Sequence, residues 1–151
     1  MLVVMCLRNS FKKRIWEHGM ALLIYSTRTE GAEERLLRVI GLLHPENKFE
    51  ICRSIGELSK RLRQPSFNPT IAILLASSRE DFEDILSIRD LLWDTKIILI
   101  VPDTSPDTIA KGHTLRPRFL SDCNSDFLDV TAVLSRMIRN LGHDNNTDTH
   151  T

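Results

Sequence analysis

The chain has no surplus of either charge: twenty lysines and arginines balance twenty aspartates and glutamates over 151 residues. It therefore has no overall field to draw it onto nucleic acid or an anionic membrane surface. Cysteine is scarce as well. Cys6, Cys52 and Cys123 are odd in number, widely spaced and free of any Cys-x-x-Cys pair. Neither a disulfide framework nor a zinc site is implied, and a reducing, cytoplasmic setting fits. No uninterrupted apolar stretch approaches the ~20 residues that span a bilayer. There is no internal repeat or interdomain linker, and the length, with 42% hydrophobic residues, suits one core rather than two.

The two ends stand apart from the rest. Met1 to Leu7 is mostly apolar, but Lys12, Lys13 and Arg14 come after it, the reverse of a secretory signal. Met20 directly precedes the first strand-like run, so residues 1–20 read as an N-terminal extension, disordered or added by an upstream start codon. His143 to Thr151 has nothing apolar to bury and reads as a disordered tail. The folded domain is expected over residues 21–142.

Between the ends, short apolar runs alternate with helical spacing. Ala21 to Tyr25 is a compact apolar run, followed from Glu33 to Leu43 by Leu36, Ile40 and Leu43 on one helical face. Phe49 to Cys52 alternates like a strand. Ser54-Ile55-Gly56-Glu57 then has the capping-box pattern, ahead of Ile55, Leu58 and Leu62. Thr70 to Ala76 is a third strand. Ser78 caps a third helix carrying Glu80 and Asp81 in its first turn and Phe82, Ile85, Leu86 and Leu92 on its apolar face. Lys96 to Val101 is the most apolar run, and Ser105-Pro106 opens a fourth helix kept short by Gly112 and Pro117. Arg118 to Leu120 is a weaker fifth strand, and Ser125 caps a last helix with Phe127, Val130, Leu134, Met137 and Leu141 at helical spacing.

Five strand-then-helix units predict an α/β fold: one doubly wound, three-layer (βα)5 sandwich with a parallel five-stranded sheet, because parallel strands need crossovers that cover both faces. In such a fold the functional crevice lies at the carboxyl ends of the strands. That places Ser26 to Thr29, Arg53, Ala76 to Ser78, Pro102 to Thr104 and Asp122 to Asn124 in the crevice.

From Ala21 to Leu141 this architecture resembles the response-regulator receiver family, a flavodoxin-like fold. Receivers that work by phosphotransfer carry two metal-binding acids after the first strand, an aspartate nucleophile after the third, a hydroxyl after the fourth and a lysine after the fifth. Laid over that pattern, this chain has Ser26 and Thr27 for the acids, Ala76 for the nucleophile, Val101 for the hydroxyl and Asp122 for the lysine, with Cys123 next. Shifting the third strand offers only Ser77 or Ser78. The resemblance thus implies a pseudo-receiver that is not phosphorylated at the usual site. Such a module binds a protein partner or itself through the face of the fourth helix, fifth strand and fifth helix. Ile109, Lys111, Arg116 and Phe119 are the candidate contacts there. Phe119 matches an aromatic position that swings with phosphorylation in the family, but its usual hydroxyl partner is Val101 here.

The alternative is a flavin site. Ser26, Thr27, Arg28 and Thr29, leading to Gly31, resemble the hydroxyl-rich phosphate loop of flavodoxins, and a helix N-terminus suits a phosphate. The glycine-rich and aromatic loops that would hold FMN are missing after the third and fourth strands. Asp103 and Asp122 are a candidate carboxylate pair, although such acids are more often helix caps. His44 and His113 have no ligand spacing and read as surface residues; Cys52 reads as core, and Cys123 has no basic neighbour to activate it. Lys60 to Arg63 and Arg116 to Arg118 read as solvated basic faces. Trp93, near the end of the third helix, reads as core, or as a contact anchor if exposed. No catalytic residue, metal or cofactor is expected.

Overall fold

The computed structural model describes residues 22–44, 49–64 and 71–147. The expected extension over 1–20, the start at Met20 and residues 148–151 of the expected tail lie outside the described residues. The elements are β1 (Leu22–Tyr25), α1 (Ala32–Leu43), β2 (Phe49–Cys52), α2 (Ile55–Arg63), β3 (Ile71–Leu75), α3 (Arg79–Ser87), a 3-10 turn (Arg89–Leu92), β4 (Lys96–Val101), α4 (Pro106–His113), β5 (Phe119–Asp122) and α5 (Leu128–Thr147). The strands form one parallel sheet in the order β2-β1-β3-β4-β5, as the alternation of apolar runs and helices requires.

Side-chain alternation along each strand divides the core into two layers. Leu23, Tyr25, Leu74, Leu99 and Val101 face α2, α3 and α4, where Leu58, Phe82 and Ile85 meet them. Ile24, Ile73, Leu75, Ile98 and Ile100 face α1 and α5, against Leu36, Ile40, Val130 and Leu134. Each fully buried leucine or isoleucine contributes about 1.5–3 kcal/mol, and β1, β3 and β4 are almost wholly of this kind. The caps also form. Ser54 accepts from the Glu57 N–H, while the Glu57 carboxylate reaches back to the Arg53 N–H; Ser78 accepts from Asp81 and Ser105 from Thr108.

Four local expectations need correction. On α1, Leu36 and Ile40 are buried but Leu43 is exposed, because the chain leaves the helix at His44. His44 takes the inward position instead and hydrogen-bonds Ser135 Oγ on α5 at 2.8 Å, so it is a buried residue and not a surface one. The third helix stops at Ser87, whose hydroxyl donates back to the Asp84 carbonyl at 2.6 Å; such back-bonding competes with the helical ladder. Leu92 therefore sits on a separate 3-10 turn, buried, and Trp93 after it is turned outward. The fourth helix is short, as expected, and ends one residue after Gly112, but the glycine has a second role. A Cβ there would stand 3.0 Å from Leu120 Cδ1 and 3.2 Å from Leu99 Cδ2, so the glycine lets α4 approach the sheet. Finally, Ser125 accepts from the Phe127 N–H, and α5 begins only at Leu128 after Phe127 turns at φ 65° to bury its ring. The helix runs to Thr147, into the stretch expected as tail.

Gly112→Ala should cost about 1–3 kcal/mol by overpacking against two leucines. Gly41→Ala, on an open face of α1 with nothing within 4 Å, should stabilise by roughly 0.5–1 kcal/mol. Urea unfolding of the two variants checks the contrast.

Candidate functional site

The carboxyl ends of β1, β3, β4 and β5 bring the expected crevice residues together. The ladder continues past the strands: the Ser26 N–H donates to Cys52 O at 3.0 Å, Ala76 to Ile100 O at 2.9 Å and Cys123 to Val101 O at 3.0 Å. Val101 pairs with Asp122. Ser26, Ala76 and Val101 are fully buried. The centre of the crevice is thus a methyl group and an isopropyl group, and the Cys123 thiol closes over it by donating to the Ala76 carbonyl at 3.2 Å.

Around that centre the polar side chains bond to one another. The Ser26 hydroxyl lies 2.7 Å from Glu33 Oε2 and 2.9 Å from the Arg28 carbonyl. Glu33, in the first turn of α1 and only 1% exposed, also forms an ion pair with Arg53 from the end of β2. Thr27 donates to Asp81 Oδ2 at 2.8 Å, and Asp81 is itself fixed by Ser78 at the start of α3. On the far rim, Arg35 donates to the Cys123 carbonyl and lies 5.5 Å from the centre of the Phe127 ring. The sequence reading missed Glu33 and Asp81 as crevice residues. As first-turn acids they pass for ordinary complements of the helix dipole, and only the fold turns them inward.

This arrangement bears on each candidate. The hydroxyls of the Ser26 to Thr29 loop that bond do so to carboxylates and a carbonyl, and the buried Glu33 carboxylate would repel a phosphate at that helix start. Asp103 and Asp122 each cap their own turn. Asp103 Oδ1 accepts the Ser105 N–H at 3.0 Å, and Asp122 Oδ1 accepts the Asn124 N–H at 2.8 Å. The hydrogen bonds from Ser105 pull the Asp103 carboxyl down to about 2. Among the described residues no group of three or more histidines, cysteines, aspartates or glutamates is placed to hold a metal ion. Ser26 and Thr27, at the positions of the two metal-binding acids of phosphotransfer receivers, are neutral hydroxyls that donate to Glu33 and Asp81.

Cys123 does have a basic neighbour, Arg35, contrary to expectation; burial and then Asp122 outweigh it and push the thiol up to about 11. Cys52 is core, as read. Arg61, in one of the basic clusters, pairs with Glu50 at 2.6 Å. The four candidate contact residues separate. Ile109 and Phe119 are half-buried on opposite faces of the sheet. Lys111 is exposed and salt-bridged to Asp107 at 3.3 Å and Glu83 at 3.5 Å, which raises its ammonium pKa, Asp107 contributing most. Arg116 turns away onto Trp93, its guanidinium carbon 5.4 Å from the ring centre.

No protein-family model and no curated protein matches the sequence. Solved structures do match in fold. A response regulator receiver domain protein, CheY-like, from Methanospirillum hungatei JF-1 superposes with a TM-score of 0.58 at 10% identity, over 82% of this chain and 98% of that one. A protein described as pilus assembly-related, from Burkholderia pseudomallei K96243, superposes with a TM-score of 0.52 at 15% identity, over 78% of this chain and 88% of that one. The fold is that of the CheY-like, flavodoxin-like α/β class. No helix among the described residues is long and apolar enough to cross a membrane.

Two titrations probe the crevice. Tyr25, the single tyrosine, is buried beside it with no hydrogen-bond partner for its hydroxyl among the described residues. Burial, then Asp81, Asp84 and Cys52, push it up to about 12. Its folded pKa exceeds the unfolded value of about 10, so its contribution to stability is complete below pH ~10 and is lost as the pH rises towards ~12. Phenolate absorbance should appear only in that upper window, together with unfolding, and Tyr25→Phe should be neutral or stabilising by about 1 kcal/mol. In a Cys6→Ser background, Cys123 should react with a disulfide reagent at pH 8 at least roughly tenfold more slowly than a free thiol.

Proposed function

We propose that the chain is a receiver-like signalling module that works by non-covalent protein contact, without phosphorylation at the usual position. The observation that carries this reading is Ala76. At the end of β3, where a phosphotransfer receiver presents its aspartate, this chain has a fully buried methyl group whose carbonyl is covered by the Cys123 thiol. The neighbouring positions agree with it. Val101 has no hydroxyl to hold a phosphoryl oxygen, and Asp122, a negative group capping its own turn, stands where the lysine is needed. Ser77 and Ser78 are no substitutes, since Ser78 Oγ already serves as the α3 cap and a serine needs an adjacent base to attack phosphorus.

A domain of this kind gives its output through a surface. The edge formed by α4, β5 and α5 is the first candidate, with the exposed Lys111 on it, although Ile109 and Phe119 pack into opposite layers and Arg116 turns towards Trp93. Phe119 is packed into the layer shared with α1 and α5. Val101 stands where phosphotransfer receivers have the hydroxyl that partners this ring, and it offers no such partner. Ser26 on Glu33 and Ser135 on the buried His44 are pairs of a hydroxyl and a base packed inside the protein, and no reaction is proposed.

Amide NMR spectra with Mg²⁺ and beryllofluoride, a mimic of the phosphoryl group, test the reading. The spectrum should be unchanged at Ser26, Ala76, Val101 and Asp122. Saturable shifts clustered at those residues would mean that the crevice still takes a phosphoryl group and would overturn the proposal.

A further inference from the structure

The loops at the amino-terminal edge of the sheet, opposite the crevice, enclose a groove of about 360 Å³ between the 3-10 turn and the segment that joins α4 to β5. Leu92 and Leu115, 2% and 8% exposed, form its apolar base. Trp93 lines it with 75% of its surface in solvent, beneath the Arg116 guanidinium. Arg89 lines it as well. Neither Arg89 nor Arg116 forms an ion pair among the described residues.

Arg116 is held here at a cost to the backbone. Its φ is 53°, in the left-handed region that a bulky side chain avoids and a glycine occupies freely. The turn that produces this conformation is orderly: the Thr114, Leu115 and Arg116 N–H groups donate to Lys111, Gly112 and His113 in succession. Glycine at this position would make the same turn without strain. What arginine adds is a cation beside an exposed indole.

Charge identifies the occupant. Two arginines, Arg89 and Arg116, against the single carboxylate of Asp90 give the lining of the groove an excess of positive charge in a chain whose total is zero, and Arg118 follows close in sequence. We propose that the groove binds an extended acidic peptide segment of a partner protein. One apolar side chain of that segment lies against Trp93 and Leu92, and flanking carboxylates meet Arg89 and Arg116. Arginine and tryptophan around a small apolar base are what protein contacts rely on most, and guanidinium–carboxylate pairs add directed, charge-assisted hydrogen bonds. A nucleic-acid strand is a poorer match, because its phosphates call for a row of cations and Asp90 interrupts this one.

The inference goes beyond the proposal above and does not depend on whether the crevice takes a phosphoryl group. In a Trp16→Phe background Trp93 is the only tryptophan, so its fluorescence reports the groove alone. Titration with the blocked peptide Ac-Glu-Asp-Phe-Glu-Asp-NH2 at low salt should give a saturable change with a Kd below about 1 mM. Arg116→Gly should weaken binding at least fivefold while leaving the urea midpoint unchanged or raised, since it relieves the φ strain; Arg89→Gln should weaken it similarly. The same peptide with lysines for its acids should not bind. Three results would overturn the proposal: no saturable change with folded protein, unaltered affinity in Arg116→Gly, or tighter binding of an oligothymidylate than of the acidic peptide. A fluorescence change on dilution of the protein alone would assign the groove to a second copy, and would overturn it too.

Discussion

A parallel sheet cannot leave either face to water, because each crossover lays a helix on one side or the other. In this chain that constraint falls on strands of four to six residues, so almost every side chain of β1, β3 and β4 is committed to the core. Polar groups are left to the two ends of the strands. The chemistry of the domain is therefore a matter of two rims, and they differ in how far their polar groups are satisfied from within.

At the carboxyl rim the satisfaction is nearly complete. Glu33 is a buried carboxylate, and a carboxylate out of water must be paired. Arg53 and Ser26 do this, tying the start of α1 to the ends of β1 and β2. Removing one partner of such a pair typically costs 3–5 kcal/mol. Thr27 and Asp81 tie β1 to α3 in the same way, and Arg35 ties α1 to the turn after β5. The chain after β1, β2 and β3 is thereby joined side chain to side chain, and the turn after β5 is joined through its backbone carbonyl. A site built for an incoming ligand keeps donors or acceptors in reserve. At this rim, among the described residues, the Glu33 Oε1 oxygen and the Tyr25 hydroxyl are buried without a hydrogen-bond partner; Glu33 is ion-paired through its other oxygen, and the tyrosine is held neutral by burial.

How much of this can be read from the sequence depends on the range of the interaction. The strands, the capping serines at 54, 78 and 105 and the parallel order follow from periodicity and from local hydrogen bonding; all are found, with the fifth strand running on to Asp122 past the Leu120 expected as its end. Gly112 shows where local rules fall short. A glycine near a helix end reads as a stop signal, yet this one also lets Leu99 and Leu120 approach from the sheet. His44 fails for the same reason, since its partner Ser135 lies 91 positions away. Trp93 failed because one serine, Ser87, ended the helix early and rotated the residues after it. Glu33 and Asp81 were visible as helix-start acids, but whether such an acid faces solvent or the crevice is decided by which strand its helix packs beside.

At the amino-terminal rim the balance is reversed. The groups there are exposed: an indole in solvent under one arginine, two arginines with no ion pair among the described residues and a backbone turn at positive φ that keeps one of them in place. None of these stabilises the fold as well as the obvious replacements would. A glycine at 116 would relax the turn, and a smaller polar residue at 93 would remove the exposed apolar surface. At the carboxyl rim the opposite holds for Ser26, Glu33, Arg53, Thr27 and Asp81, each of which is tied to another side chain that its replacement would strand. A rim whose side chains are costly to the isolated domain, set against a rim whose side chains hold it together, is the contrast on which the proposed peptide groove at the far edge of the sheet rests.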